Sequence, residues 1–192
     1  MPSFTEDVAR ALRGSIDLLQ RRAEGLSHFD FSATGFRRSF AAIPLAIPAF
    51  VTLVAAHRAH DGLLTPGASL FGDAGPVWRA AVEFACIWIA PLIVAFWVAS
   101  ILNLRQRFAA LVVAINWTGV IAACFLALPA LLYATGLARE SHAFVYGLMF
   151  LALVAHLQWF TTKHALGVSG GVAATVIVGQ LGLATLARAA LV

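Results

Sequence analysis

The feature that most constrains this chain is a succession of apolar runs, each about as long as a bilayer is thick, with the charges held mainly in the gaps between them. Crossing ~30 Å of hydrocarbon at ~1.5 Å per residue takes roughly 20 helical residues. Five such spans are predicted, at about 39–56, 80–102, 109–133, 143–162 and 166–187. The expected fold class is all-α: a polytopic membrane helical bundle of about five transmembrane helices in one domain, residues 39–192. A cytoplasmic amphipathic helix and connector, residues 1–38, precede it.

Composition supports placing those runs in lipid. Hydrophobic residues make up 61% of the 192, charged residues only 11%, and mean hydropathy is +0.87. A soluble domain carries roughly 25% charged residues, and a chain this short needs polar surface. The excess apolar surface must therefore face lipid. A net charge of +4 raises the question of nucleic acid. The basic residues argue against it, because they sit at the ends of apolar runs and form no stripe with aromatics between them. The basic set contains a single lysine, Lys163, and the chain is rich in Ala, Gly, Leu and Val. That skew fits a GC-rich bacterial genome, so the expected location is a bacterial inner membrane, multi-pass. Cys86 and Cys124 fall inside predicted spans and read as small apolar filler, without a disulfide framework. The first 38 residues hold no continuous apolar stretch of signal-peptide type, so the first span is expected to be retained.

Orientation follows from Lys and Arg. With the N-terminus inside, Arg10, Arg13, Arg21, Arg22, Arg37, Arg38, Arg105, Arg107 and Lys163 are internal, whereas Arg58, Arg79, Arg139 and Arg188 are external. The asymmetry favours N-in and C-out.

Residues 3–26 predict an amphipathic helix. Phe4, Val8, Leu12, Ile16, Leu19, Ala23 and Leu26 recur at helical spacing, opposite Arg10, Arg13, Asp17, Arg21 and Glu24. Ser3 and Glu6 have capping-box spacing. The helix lies either on the bundle or a partner, or in the anionic leaflet. Phe29, Phe31 and Phe36 in the connector 27–38 suit the headgroup zone, and Arg37 and Arg38 mark the membrane edge. Pro44 and Pro48, four apart, predict a kink or a broken first turn in the first span. Residues 57–79, with Pro66 and Pro76, form the longest loop, whose stretch LLTPGASLF could dip back into the interface.

Polar groups within spans are costly in lipid and are candidate sites by default. They are Glu83, Asn116, His156, Gln158 and Gln180. Counted from the inner side, Asn116 is ~10 Å deep and His156 ~9 Å deep, so the two share a level and could bond one another. Interhelical glue and part of a proton or solute path are both open. Glu83, near the outer edge of the second span, has Arg79 one turn back as its expected partner. His57, His60 and Asp61 form an HxxHD cluster that reads as an interfacial patch, with a metal site as the weaker alternative. Gly167, Gly171, Thr175 and Gly179 step by four along the fifth span. This small-residue seam suits close approach of another helix, within the chain or in a homodimer.

HExxH, GxSxG, P-loop and cysteine metal motifs are absent, as are paired intramembrane acids and an obvious inverted repeat. No catalytic residue, cofactor or metal is assigned.

The stretch RFAALVVAINWTGVIAACFLALPALL (107–132) resembles the third span of bacterial Yip1-like proteins. YGLMFLALVAHLQWFTTKHALGV (146–168) resembles their fourth span and the short basic connector after it. The likeness covers roughly residues 80–170 and is one of pattern. Eukaryotic relatives carry an Asp-Leu-x-Gly-Pro motif ahead of the membrane domain; GDAGP (72–76) is similar to it but one residue short. The resemblance implies five spans, N-in and C-out, without catalysis, and a role in membrane organisation or partner binding.

Two functions are therefore expected in competition. One is a non-enzymatic scaffold or accessory subunit with a membrane-protein partner or a second copy of itself. The other is a small transporter or channel component with a polar path near Asn116, His156 and Glu83.

Overall fold

The computed structural model describes residues 3–65 and 67–189, without the side chains of residues 187 and 188. Pro66 and the side chain of Arg188, both invoked above, lie outside the described residues. The described chain is helical throughout, with no strand. Its elements are α1 (Phe4–Leu19), a 3₁₀ turn (Ala23–His28), α2 (Ala33–Ser39), α3 (Ala42–Leu45), α4 (Ile47–His60), α5 (Ala74–Ile101), α6 (Arg105–Ala134), α7 (Glu140–Leu166) and α8 (Gly170–Ala189).

Four stretches are long and apolar enough to cross a membrane: Ala33–His60, Ala74–Ile101, Arg105–Ala134 and Glu140–Leu166. The fifth, α8, is a shorter apolar helix. The chain is thus a helical membrane bundle of four long helical spans and one shorter one. The second span begins at Ala74, six residues earlier than hydropathy suggested, because Pro76 sits in the first turn, where its missing N–H costs nothing.

Short connectors set the arrangement. Residues 102–104, 135–139 and 167–169 join α5 to α6, α6 to α7 and α7 to α8, which makes successive helices antiparallel neighbours. α6 is the axis: 72% of its span is buried, against 22–28% in the other three. Leu111 through Val120 form an unbroken buried run, so over this stretch the helix has no exposed side and is mainly apolar around its whole circumference. α4, α5 and α7 surround it, and α8 packs on α5 and α7.

The two prolines of the first span do break it. α3 ends at Leu45, α4 begins at Ile47, and Ala46 between them has non-helical torsions (φ −91°, ψ 3°). The connector 27–38 is not irregular, since the 3₁₀ turn and α2 occupy much of it.

The amphipathic helix is shorter than predicted. α1 stops at Leu19, and Arg21 takes a left-handed conformation (φ 63°) that turns the chain into the 3₁₀ turn. The capping box forms: Glu6 N–H donates to Ser3 Oγ (3.3 Å), and Ser3 N–H to Glu6 Oε2 (2.8 Å). α1, the 3₁₀ turn and α2 pack at the end of the bundle formed by the start of α6 and the end of α7, sharing one core through Ala11, Leu18 and Phe29 with Val113, Trp117, Leu157 and Phe160. Its buried positions are Asp7, Ala11, Gly14, Ser15 and Leu18. Of the apolar stripe, Val8, Leu12, Leu19, Ala23 and Leu26 flank that face and pack against the core, partly buried, while Phe4 and Ile16 are exposed.

Gly14 explains the choice of face. A Cβ there would lie 2.5 Å from the Gly25 carbonyl oxygen, and one at Gly25 equally close to that of Gly14. Only two glycines allow α1 and the 3₁₀ turn to touch backbone to backbone.

The glycine seam of the fifth span is corrected. Gly167 is not in α8; it caps α7 with φ 66°, and its N–H bonds to Lys163 O. A Cβ there would strike Arg107, whose Nη1 donates to Leu166 O at 2.8 Å. Gly171 has nearly open space around it and Thr175 is exposed. Within α8 itself, Gly179 lies against a neighbouring helix, at Val94 of α5. The face α8 buries is instead Ala173, Val176, Ile177 and Gln180.

Candidate functional site

The five intramembrane polar residues fall into two groups. Toward the N-terminal unit, Asn116 on α6 is 1% exposed and its Nδ2 donates to Ser39 Oγ (2.9 Å), while Ser39 Oγ donates to Phe36 O (2.7 Å). His156 on α7 accepts from Arg21 Nε at Nε2 (3.0 Å), and its ring lies 5.8 Å from that of Trp159. The expected bond between Asn116 and His156 is therefore not made. Equal depth was the right coordinate, but depth says nothing of which side of a helix faces which neighbour. The left-handed turn at Arg21 and the end of α2 at Ser39 bring two partners that pattern alone could not place.

A third lock joins these. Asp7, in the first turn of α1, accepts from Arg10 Nη2 (2.7 Å) and from Arg38 of α2. Sequence reasoning assigned Asp7 no role. Its signal was an acid at the start of a helix, together with a glycine, Gly14, in mid-helix where its ~1 kcal/mol cost needs a packing reason. Beside this lock, Asp30 receives hydrogen bonds from the Ser32 side chain and the Ser32 N–H (2.9 Å). These bonds, with Arg10 and Arg38 nearby, hold its carboxyl below the usual carboxylate range against a small opposing effect of burial.

The second group surrounds a cavity of about 140 Å³ between α5, α6, α7 and α8. Glu83, Gln158 and Gln180 contribute its main polar groups. Ala90, Ala122 and Ala184 face it from three different helices, and small side chains on every side leave the volume unfilled. Gln158 is 3% exposed, and its Oε1 has no hydrogen-bond partner. Neither Asn116 nor His156 lines this space. The structure thus joins Glu83 to the two glutamines and separates it from the two residues grouped with it above.

Glu83 also connects the cavity to the outer loop. His57 Nε2 lies 3.4 Å from Glu83 Oε2. Arg79, expected to serve Glu83, donates to Asp61. Arg58, 3% exposed, is held by Asp73 and by Leu63 O (2.8 Å). His60 Nδ1 lies 3.7 Å from Glu140 Oε1. The HxxHD cluster therefore disperses: His57 turns to α5, His60 to α7, and Asp61 to Arg79. Among the described residues no three His, Cys, Asp or Glu side chains converge as metal ligands. The aspartate of GDAGP is spent on Arg58.

No family model, curated protein or solved structure matches this chain.

Proposed function

We propose that this chain is a non-enzymatic scaffold or accessory subunit of a bacterial inner membrane, Yip1-like in organisation, with its N-terminus in the cytoplasm. It binds a membrane partner or a second copy of itself through the surface that its N-terminal unit presents. One observation carries this reading: both polar residues on the inner side of the spans are used to tie that unit down. Asn116 holds Ser39 and His156 holds Arg21. The Asn116–Ser39 bond is buried and the Arg21–His156 bond is exposed; polar contacts of this kind between segments specify an arrangement rather than a passage. The unit so fixed exposes Arg13, Arg22 and Arg37 together with Phe4, Ile16 and Phe31. A basic, aromatic-bearing surface of that type suits the anionic headgroup layer, where each basic residue near the surface contributes ~1 kcal/mol.

The transporter alternative, with a path near Asn116 and His156, has less support, because Asn116 is sealed against Ser39. The test is reconstitution of the purified chain alone into proteoliposomes. The scaffold reading expects no solute flux that depends on His156. Specific flux abolished in His156→Ala sinks it.

A further inference from the structure

Gln158 on α7 lines the cavity between α5, α6, α7 and α8, is 3% exposed, and has its Oε1 buried without a hydrogen-bond partner. A buried amide oxygen in that state is costly, and a donor delivered to it would recover the loss. The terminal torsion of a glutamine has two comparable settings, which exchange its oxygen and its nitrogen. A hydroxyl both donates and accepts, so it satisfies whichever end the amide turns toward the space. Around the amide the walls are mostly aliphatic, from Ala90, Ala122, Leu126 and Leu151 among others. The Thr185 hydroxyl, at the rim, is occupied with Leu181 O (2.8 Å). The volume of about 140 Å³ is close to the ~150 Å³ at which an apolar protein cavity accepts a benzene-sized guest.

The carboxylate on the wall is already engaged. His57 Nε2 lies 3.4 Å from Glu83 Oε2, and Glu83 makes a further contact besides. Among the described residues no Lys, Arg or His lines the space. A charged guest would exchange water for aliphatic walls with no counter-charge to spare, a transfer far more costly than that of a neutral hydroxyl. Leu151 of α7 is half-buried and Thr185 of α8 is exposed. The space therefore reaches the lipid-facing surface between these two helices, and a guest dissolved in the bilayer has a way in.

We propose that this cavity binds a neutral, membrane-soluble cyclic hydroxyl compound, a phenol or ring alcohol of about seven or eight non-hydrogen atoms. The ring packs among the alanines and leucines, and its O–H donates to Gln158 Oε1. The amide selects for the hydroxyl over a hydrocarbon of the same shape, and the engaged carboxylate gives a cation no advantage. This site is independent of the scaffold reading, since it uses none of the residues that hold the N-terminal unit.

The experiment is a fluorine NMR titration of the purified full-length chain in nanodiscs, with empty nanodiscs as the reference for partitioning into lipid. The probes are 4-fluorophenol, 4-fluorotoluene, which has the same shape without the donor, and 4-fluorobenzylammonium. Saturable one-to-one binding of the phenol is expected, with a Kd of roughly 0.1–1 mM for a guest of this size. Gln158→Met keeps the volume and removes the acceptor, and it should fold at least as well as the parent because it leaves no polar group behind. In that variant the affinity of phenol relative to toluene should fall about 3–10-fold, the range for one hydrogen bond. Ala184→Leu, which fills the space from α8, should abolish binding of both. Absence of saturable phenol binding above the empty nanodiscs, meaning a space filled by lipid chains or water alone, overturns the proposal. So does a phenol-to-toluene ratio unchanged in Gln158→Met, binding that survives Ala184→Leu, or tighter binding of the ammonium than of the phenol.

Discussion

The polar residues that face the N-terminal unit and those that face α8 are treated in opposite ways. Toward the N-terminal unit, Asp7, Asn116 and His156 all have partners. Toward α8, Gln158 of α7 is buried with its Oε1 unpaired, beside a cavity. The difference lies in what each neighbouring element can offer. The N-terminal unit brings Ser39, Arg21 and Arg38, side chains long or polar enough to reach a buried partner. α8 brings Ala184, Leu181 and Gln180 to the cavity, side chains that leave room and satisfy little. Polar residues at similar depth can thus be paired on one side of α7, as His156 is, and left unpaired on the other, as Gln158 Oε1 is.

The largest effect that would break this comparison is on the close contact inside the N-terminal unit. Gly14→Leu forces a side chain into the Gly25 backbone, and a cost near the upper end of overpacking, about 3 kcal/mol, is expected. For a chain of this size that is a fall of roughly 6–12 °C in thermal midpoint, read in detergent by circular dichroism. Gly171→Leu, in nearly open space on α8, should stay within about 0.5 kcal/mol. If the two variants melt together, the inner unit is not rigidly packed and the contrast fails.

Asp7→Ala tests the lock itself. It leaves Arg10 and Arg38 without their shared acceptor. Both arginines are about a third or more exposed, so water recovers part of the loss, and about 1–2 kcal/mol is expected rather than the 3–5 of a fully buried pair. The accompanying sign is faster proteolysis after Arg21 or Arg22, since α1 would detach first.

A matched pair sharpens the comparison further. Asn116→Leu and Gln158→Leu make the same chemical change on adjacent helices. The first breaks a buried bond and should cost about 0.6–2 kcal/mol. The second removes an unpaired amide and should be neutral or stabilising by up to ~1 kcal/mol. Midpoints that move in the same direction would show that the side facing the N-terminal unit and the side facing α8 do not differ as described.

Much of the fold was legible because span length and hydropathy are read along one dimension. The spans from 109–133 and 143–162 lie inside α6 and α7. Ser3 with Glu6, and Pro44 with Pro48, act through the nearest turn, and both signals are realised at the backbone. What failed needed a third dimension. Gly167 looks the same in sequence whether it opens a helix face or ends a helix; φ 66° and the Arg107 guanidinium decide. The apolar stripe of α1 was read correctly only in part. Val8, Leu12, Leu19, Ala23 and Leu26 do pack against the core, partly buried, whereas Phe4 and Ile16 are exposed and the deepest contact is made by Ala11, Gly14, Ser15 and Leu18. The cavity was invisible because it is made by small alanines on separate helices. Gln158 and Gln180 were named as polar, but nothing along the chain paired them with Glu83.

The smallest expected effect concerns the acid limit of the inner lock. Asp30 has its carboxyl lowered by the Ser32 side chain, then by the Ser32 N–H. A group whose folded value lies below its unfolded value of 3.8 stabilises the fold above that value. The contribution is complete at neutral pH and disappears as pH falls through the folded value. Asp30 is largely solvated, so screening limits the effect to under about 0.5 kcal/mol. Asp30→Asn should therefore lower the midpoint slightly at pH 7, by about 1–2 °C, and the gap to the parent should close as pH falls below the unfolded value of 3.8 and through the folded one. A gap that widens on acidification would mean that Asp30 is protonated in the folded protein. The Ser32 contacts at the start of α2 would then not be ionic, and the inner side would lose one of the paired charges on which its contrast with the cavity rests.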